Sequence, residues 1–574
     1  MLRFLVRLFA FVGFLVIAGI GTAVWYVWTH EEPLPDSMVL TLDLDKPLSS
    51  RPDADALGSL IGREASLRDV LNALERARSD ARVKGLLVRI GGHEPGFAEA
   101  QEIRTAVERF RATGRFALAY AEGFGEGGAG NRSYYLATGF DEVWVQPLGD
   151  VGITGLAAQI PFVRGALDQL GIQPQVQQRE EYKSFADTFT QRDLTPANRE
   201  MTQALLSDLS KQLVDGIARA RRLDPGEVRA LIDRAPLLDQ EALQARLIDR
   251  IGYRDEAEAE ARRRSGGGET MELTDYLDTA GPPHRDGTVV ALIHAVGTIS
   301  RGESEGRGIS EVTAGSDTIV DAFDQAIEDD DVKAILFRVD SGGGSVTASE
   351  SIRRAVVRAR ERGKPVVVSM GDAAASGGYW ISMNADRIVA MPGTITGSIG
   401  VVAGKMSLEG LSEKLGVHWG VVADAKNAGM WSPFQAFNES EQARLTAMID
   451  RTYATFLAKV AEARKLPADK VRAAAKGRVW TGAQALGLGL VDELGDTETA
   501  LVRVREAIGL KPDAAVSLEP FPPPKSTLEE IRSVMSGKGL VRDAVARELR
   551  AWLGPLVDVV EPGVRAKMPA VMVR

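Results

Sequence analysis

At 574 residues the chain is too long for one hydrophobic core, and about two to four domains are expected. A net charge of −10, with no basic stripe interleaved with aromatics, argues against a nucleic-acid role. There is no cysteine, which excludes thiol catalysis, thiolate metal sites and disulfides together.

Residues 8–28 run for 21 positions without a charge, enough at 1.5 Å per residue to span about 30 Å of hydrocarbon. Trp25, Tyr26 and Trp28 form an aromatic belt at the far end. Arg3 and Arg7 precede the span, while Glu31, Glu32 and Asp36 follow it, so the N-terminus is expected in the cytoplasm. A cleaved signal peptide with a site at Gly21-Thr22-Ala23 is the competing reading. The apolar character continues past Ala23, which favours an anchor.

Beyond a short linker the chain alternates β-like and helical runs. Gly85–Ile90 reads as a buried strand, Ala100–Arg111 as a helix, Phe116–Tyr120 as a strand and Tyr134–Thr138 as the start of a helix. Such alternation predicts an α/β fold with parallel sheets of βαβ units. The same order then returns. Val83–Arg89 matches Val332–Arg338 at an offset of 249, and Gly114 matches Gly363 at the same offset. From Tyr134 onward the offset is 245, pairing Tyr134 with Tyr379, Asp141 with Asp386, Pro147 with Pro392, Gly155 with Gly400 and Gly171 with Gly416. A register kept through that many matches is an internal duplication. The expected organisation is a stub and anchor at 1–29, a first repeat at 40–265 and a linker at 266–285, then a second repeat at 286–510 and a tail at 511–574. Glycines in 122–130 lack the lysine and hydroxyl of a phosphate loop and read as a flexible insertion. In the tail, Leu540, Val541, Val545, Leu549, Trp552 and Leu553 form one face of an amphipathic helix expected to dock on the body.

Chemistry concentrates in Gly371–Trp380. A serine, Ser376, follows a β-rich run and precedes a helix-compatible one, with small residues on both sides. That is the setting of an acyl-transfer nucleophile on a strand-to-helix turn. Taken alone, the ten residues suit a plain small-residue turn equally well. The five histidines, His30, His93, His284, His294 and His418, show no metal or triad spacing. A base for Ser376 is then expected to be lysine.

The repeat narrows the choice. Ser376 falls opposite Asn131, and Lys183 falls opposite Ala428, so each copy carries one member of a Ser/Lys pair and lacks the other. Arginine outnumbers lysine about three to one, and between residues 47 and 270 only Lys84, Lys183 and Lys211 occur. Lys84 recurs as Lys333 and reads as a surface charge, and Lys211 lies in a polar helix, leaving Lys183 as the candidate base. It must be neutral to act, which requires an apolar pocket for which Tyr182, Phe185 and Phe189 are at hand. Lys405 and Lys426 stand next in line. Glycine N–H groups of Gly342–Gly344 with that of Gly377 fit an oxyanion hole.

Arg338–Glu350, Ala374–Ser382, Thr396–Gly400 and Val479–Asp492 together resemble the signal peptide peptidase A (protease IV) family of serine–lysine peptidases in its long, internally duplicated form. The resemblance covers residues 1 to 510. It implies tandem Clp-protease/crotonase-like domains, Ser376 as nucleophile, Lys183 as base, Ser398 orienting the lysine, and Gly343 and Gly377 as oxyanion donors. It also implies a bacterial inner-membrane protein with periplasmic catalytic domains, a bowl-like homotetramer, apolar signal-peptide substrates, and neither cofactor nor metal. Gly342 stands where the family usually has proline, which should loosen the oxyanion loop. Two rivals use the same fold: a crotonase-type acyl-CoA enzyme and a non-catalytic membrane scaffold.

Overall fold

A computed structural model of the chain describes residues 33–48, 65–304, 312–523, 563–568 and 572–573. The expected anchor at 8–28 and the amphipathic helix at 540–553 lie outside the described residues. Among those described, no helix is long and apolar enough to cross a membrane.

The duplication is visible in the order of strands. One sheet runs Glu269–Glu272, Met38–Asp43, Val83–Arg89, Phe116–Ala121, Glu142–Val145, Arg250–Ile251, every neighbour parallel. A second sheet repeats it as Val516–Phe521, Thr288–Val296, Val332–Ser341, Val366–Ala375, Arg387–Ala390, Glu493–Leu494, again parallel. Central strands such as Val83–Arg89 and Val332–Ser341 are buried along almost their whole length, as a sheet covered on both faces requires. The expected helix at 100–111 spans Phe97–Arg111, and the one starting near 134 spans Asn131–Ala137.

Two boundaries differ from the sequence reading. Residues 269–280, expected within the linker, form an edge strand and a helix of the first repeat, with Leu273, Tyr276 and Leu277 buried in its core. The counterpart strand Val516–Phe521 likewise carries the second repeat past residue 510. Glu269–Glu272 is exposed and polar at its edge, so it has no hydrophobic run to announce it, whereas the flanking glycines and prolines are conspicuous. The stretch at 122–130, expected as a flexible insertion, is tied into the first repeat: Phe124 bridges Val151, and the Gly130 N–H donates to the Gly152 carbonyl.

A third sheet joins the halves. Its order is Thr313–Gly315, Thr298–Ser300, Gly343–Ser345, Gly563–Lys567, Val401–Ser407, Gln173–Arg179. First-repeat, second-repeat and tail strands thus lie side by side, and this sheet brings the chemistry of one half to the other.

Candidate active site

Ser376 ends the strand Val366–Ala375 and is the N-cap of the helix Gly377–Ser382. Its backbone sits at φ 56°, ψ −110°, a conformation that costs a non-glycine residue about 1–3 kcal/mol. Two backbone bonds hold it there: its N–H donates to the Gly397 carbonyl at 2.8 Å, and its carbonyl accepts from Trp380 N–H at 2.8 Å. The sharp turn aims Oγ away from both elements.

Lys183 arrives from the other repeat. The strand Gln173–Arg179 pairs with Val401–Ser407, and the chain then turns so that the Tyr182 N–H donates to the Lys476 carbonyl at 3.1 Å. Lys183 is completely buried, and its Nζ lies 2.7 Å from Ser376 Oγ, 2.9 Å from Ser398 Oγ and 3.0 Å from the Ser398 carbonyl. Both partners belong to one chain. Burial holds the amine well below the ordinary lysine range. A neutral amine has two N–H groups and one lone pair. With both N–H groups on the Ser398 oxygens, the lone pair is left for the Ser376 hydroxyl proton.

The lysine's pocket is made partly of glycine. A Cβ on Gly477, whose φ is +80°, would lie 2.5 Å from Lys183 N and 2.6 Å from its Cα. One on Gly400 would lie 3.1 Å from Lys183 Cδ. Gly477 was not singled out in the sequence; the available signal was its place just before Val479–Asp492. The expected aromatic pocket is formed differently. Tyr182 donates its hydroxyl to Glu200 and lies under Arg478, while Phe185 and Phe189 pack edge-on against each other beside Leu167 and Met406. Lys405 is also buried, but its Nζ donates to the Met430 carbonyl over the Phe437 ring.

Facing Ser376 is the loop Ser341–Ser345. A Cβ on Gly377 would lie 3.0 Å from Gly343 Cα and Gly344 N, so only glycine lets the two backbones approach this closely. The Gly377 N–H opens a helix and has no intrahelical acceptor. The Gly343 N–H is engaged, donating to Ser341 Oγ at 3.1 Å, and Ser341 in turn donates to the Gly297 carbonyl at 2.6 Å. Gly343–Ser345 also pairs with the tail strand Gly563–Lys567, and the Met568 N–H donates to the Gly342 carbonyl at 2.8 Å. Among the described residues a Cβ at Gly342 would meet only Met568, at 3.7 Å, so these leave room for a side chain at this position.

The first repeat's corresponding turn is closed off. Asn131, opposite Ser376, spends its amide on the Gly155 carbonyl and N–H. The Glu94 carboxylate accepts from the N–H groups of Arg132 and Ser133, the helix-start donors equivalent to Gly377 and Gly378.

A model of peptidase family S49 matches residues 110–266 and 358–511, one match in each repeat. The chain belongs to peptidase family S49. Among its relatives, "Protease 4" of Salmonella typhi is 32% identical over 95% of this chain and 90% of its own length. "Protease 4" of Haemophilus influenzae is 31% identical over 90% and 86%, and "Serine protease SPPA, chloroplastic" of Arabidopsis thaliana is 30% identical over 93% and 78%. As an S49 member the chain is a serine peptidase, which sets aside the acyl-CoA enzyme and the non-catalytic scaffold.

Proposed function

We infer that the chain is a membrane-anchored serine endopeptidase that hydrolyses remnant signal peptides with a Ser376/Lys183 dyad. The observation that carries this reading is the buried Lys183 amine 2.7 Å from Ser376 Oγ, with no histidine on either among the described residues. Ser376 Oγ attacks the peptide carbonyl carbon as its proton passes to Lys183 Nζ. The oxyanion is held by the Gly377 N–H and by the Gly343 N–H once Ser341 yields it. The tetrahedral intermediate collapses as the Lys183 ammonium protonates the leaving amine, leaving an acyl ester on Ser376. Lys183 then takes a proton from water, the hydroxide attacks the ester, and the proton returns to Oγ. Ser398 keeps the lysine aimed throughout.

The two repeats are read as Clp-protease/crotonase-like domains, the first carrying the base and the second the nucleophile. Residues 8–28 anchor them in a bacterial inner membrane with the domains in the periplasm, where apolar peptides are within reach. A homotetramer completes the reading. It is tested with the detergent-solubilised full chain and an apolar signal-sequence peptide. Wild type cleaves it and a fluorophosphonate labels Ser376, whereas Ser376→Ala and Lys183→Ala stay folded and inactive. Full activity of Lys183→Ala at neutral pH would remove the dyad.

A further inference from the structure

Lys183 stands outside regular secondary structure, between the strand Gln173–Arg179 and a short 3₁₀ turn at Ser184–Ala186. Its own turn gives it little hold: the Lys183 N–H donates to the Glu180 carbonyl at 3.2 Å, and the Ser184 N–H to the Tyr182 carbonyl at 2.8 Å. Keeping an amine within about 0.5 Å of its target from such a turn requires support from outside it. That support is the segment Lys476–Trp480 of the second repeat. The Lys476 carbonyl accepts the Tyr182 N–H, and the Arg478 carbonyl accepts the Ser398 N–H at 2.7 Å. Ser398 sits at φ 52°, which a serine keeps only where its surroundings hold it.

The Arg478 side chain adds a second grip. Its guanidinium carbon lies 4.9 Å from the centre of the Tyr182 ring and 4.6 Å from that of Trp480. One arm donates to Glu200 Oε1 at 2.7 Å, and Glu200 Oε2 accepts the Tyr182 hydroxyl at 2.9 Å. Arg478 Nε has no acceptor among the described residues, so the group is held by its faces more than by its edge. The two rings lead to the two reacting side chains. Tyr182 immediately precedes Lys183. Trp480 lies against Gly397, where a Cβ would come within 2.7 Å of the Trp480 Cδ1, and the Gly397 carbonyl accepts the Ser376 N–H at 2.8 Å. Arg478 therefore ties the first-repeat turn that carries the amine to the second-repeat backbone that carries the hydroxyl.

The inert copy lacks the whole arrangement. Val151 bridges Leu237 as Thr396 pairs with Trp480, which makes Leu237 the counterpart of Trp480 and Ala235 that of Arg478. Tyr182 falls opposite Asn427 at the offset of 245. The helices Pro196–Arg221 and Glu439–Arg464 are both 26 residues long, and Glu200 in the first corresponds to Ala443 in the second. None of these four counterparts has a charge or an aromatic ring. The clamp is present where the chain has a lysine to place and absent where it has none.

We propose that Arg478 is a positioning residue for Lys183, its stacked guanidinium holding the amine in line with Ser376. The proposal rests on the Ser376/Lys183 reading above. What Arg478 supplies is shape as well as charge. An ammonium in its place would keep the charge but could not lie flat between two rings, so lysine is no substitute.

The test compares the full-length wild type, Arg478→Lys and Arg478→Ala in detergent, with Lys183→Ala alongside, on an apolar signal-sequence peptide from about pH 5 to 10. Both Arg478 variants should lose at least about tenfold in kcat at neutral pH, with KM within about twofold of wild type. The loss should shrink toward high pH, because a loosened turn admits water to the amine and moves the rising limb of the profile upward. Glu181, paired with Lys476 at 2.8 Å, and Glu200 keep their charges in both variants. Arg478→Lys keeps the cation as well, so a shift in that variant reports packing. Melting temperatures should stay within a few degrees of wild type. An Arg478→Lys profile that matches wild type overturns the proposal. So does a loss that is equal at every pH and tracks a fall in melting temperature, which is what a merely structural residue would give. Activity in Lys183→Ala would remove the dyad reading and the proposal with it, whereas an inactive Lys183→Ala beside an unperturbed Arg478→Lys removes the proposal alone.

Discussion

Burial, and no neighbouring charge, pushes the Lys183 amine well below the ordinary lysine range. Two consequences follow, with opposite signs. With Lys183 as the proposed base, only the neutral amine is active, so kcat/KM should rise with pH along a limb set by Lys183, lying well below the ordinary lysine value of about 10.4. Lys183→Arg should lose at least about 10³-fold, since a guanidinium is never deprotonated in a protein. Stability runs the other way. The unfolded chain binds the proton that the folded chain excludes, so folding is penalised as pH falls below the ordinary lysine pKa. Lys183→Met should therefore be inactive yet more stable at neutral pH, by about 1–2 kcal/mol, in a denaturant melt. A destabilised Lys183→Met would mean that the amine's bonds to Ser376 and Ser398 outweigh its desolvation. Ser376 and Lys183 were legible in the sequence because the duplication isolates them: each stands where the other copy has something inert, and lysine is scarce. Gly477 was not legible, because its reason for being glycine is the Lys183 backbone 2.5 Å from its Cβ position, almost three hundred residues away in the chain. Gly477→Ala should cost about 10²-fold or more in kcat, with the melting temperature as the control for folding.

At the scale of elements, the tail strand Gly563–Lys567 lies between strands of the second repeat. It is bonded on both edges, to Gly343–Ser345 on one side and to Val401–Ser407 on the other. An extended peptide gains affinity by adding as a strand to such edges, so peptide and tail compete for one slot. Ending the chain at residue 560 should lower KM for an apolar peptide by about tenfold and leave kcat unchanged, the tethered tail acting at an effective concentration in the millimolar range. A synthetic peptide of residues 561–574 should inhibit the shortened chain competitively. An unchanged KM would route substrate past another edge. None of this was readable beforehand, because the pairing is a tertiary fact: the strand's partners lie more than 150 residues away and nothing in its own pattern names them. By contrast, the βαβ strands Val83–Arg89 and Phe116–Ala121 announce themselves as short apolar runs.

For the molecule as a whole, the Lys183–Ser376 contact exists only while the two repeats stay docked, and the docking surface is charged. The helix Phe97–Arg111 of the first repeat meets the second repeat end-on: Asp372 accepts from the N–H groups of Ala98 and Glu99 at 2.7 and 3.1 Å. One turn on, fully buried Glu102 takes both arms of Arg338, at 3.0 and 2.6 Å, and accepts the Thr497 N–H. Three carboxylates, Glu102, Asp340 and Asp372, thus surround the Arg338 guanidinium, and Glu99 lies beside them. Burial, with Asp372 beside it, raises Glu99 to about 7, and burial with Asp340 beside it raises Asp372 to about 6. A carboxyl whose folded pKa is raised favours the folded state while protonated. Its stabilisation is complete below the ordinary value near 4.5 and is lost as pH climbs to about 7. Glu99→Gln removes the titration and keeps the shape. The variant and wild type should melt together near pH 4.5, and the variant should be the more stable by pH 7 and above, by at most about 3 kcal/mol. Because the measurement is a difference between two proteins at each pH, the opposite trend from Lys183 cancels. A gap that stays constant from pH 4.5 to 8 would mean that Glu99 is ionised throughout, and that Arg338 neutralises the whole cluster rather than Glu102 alone.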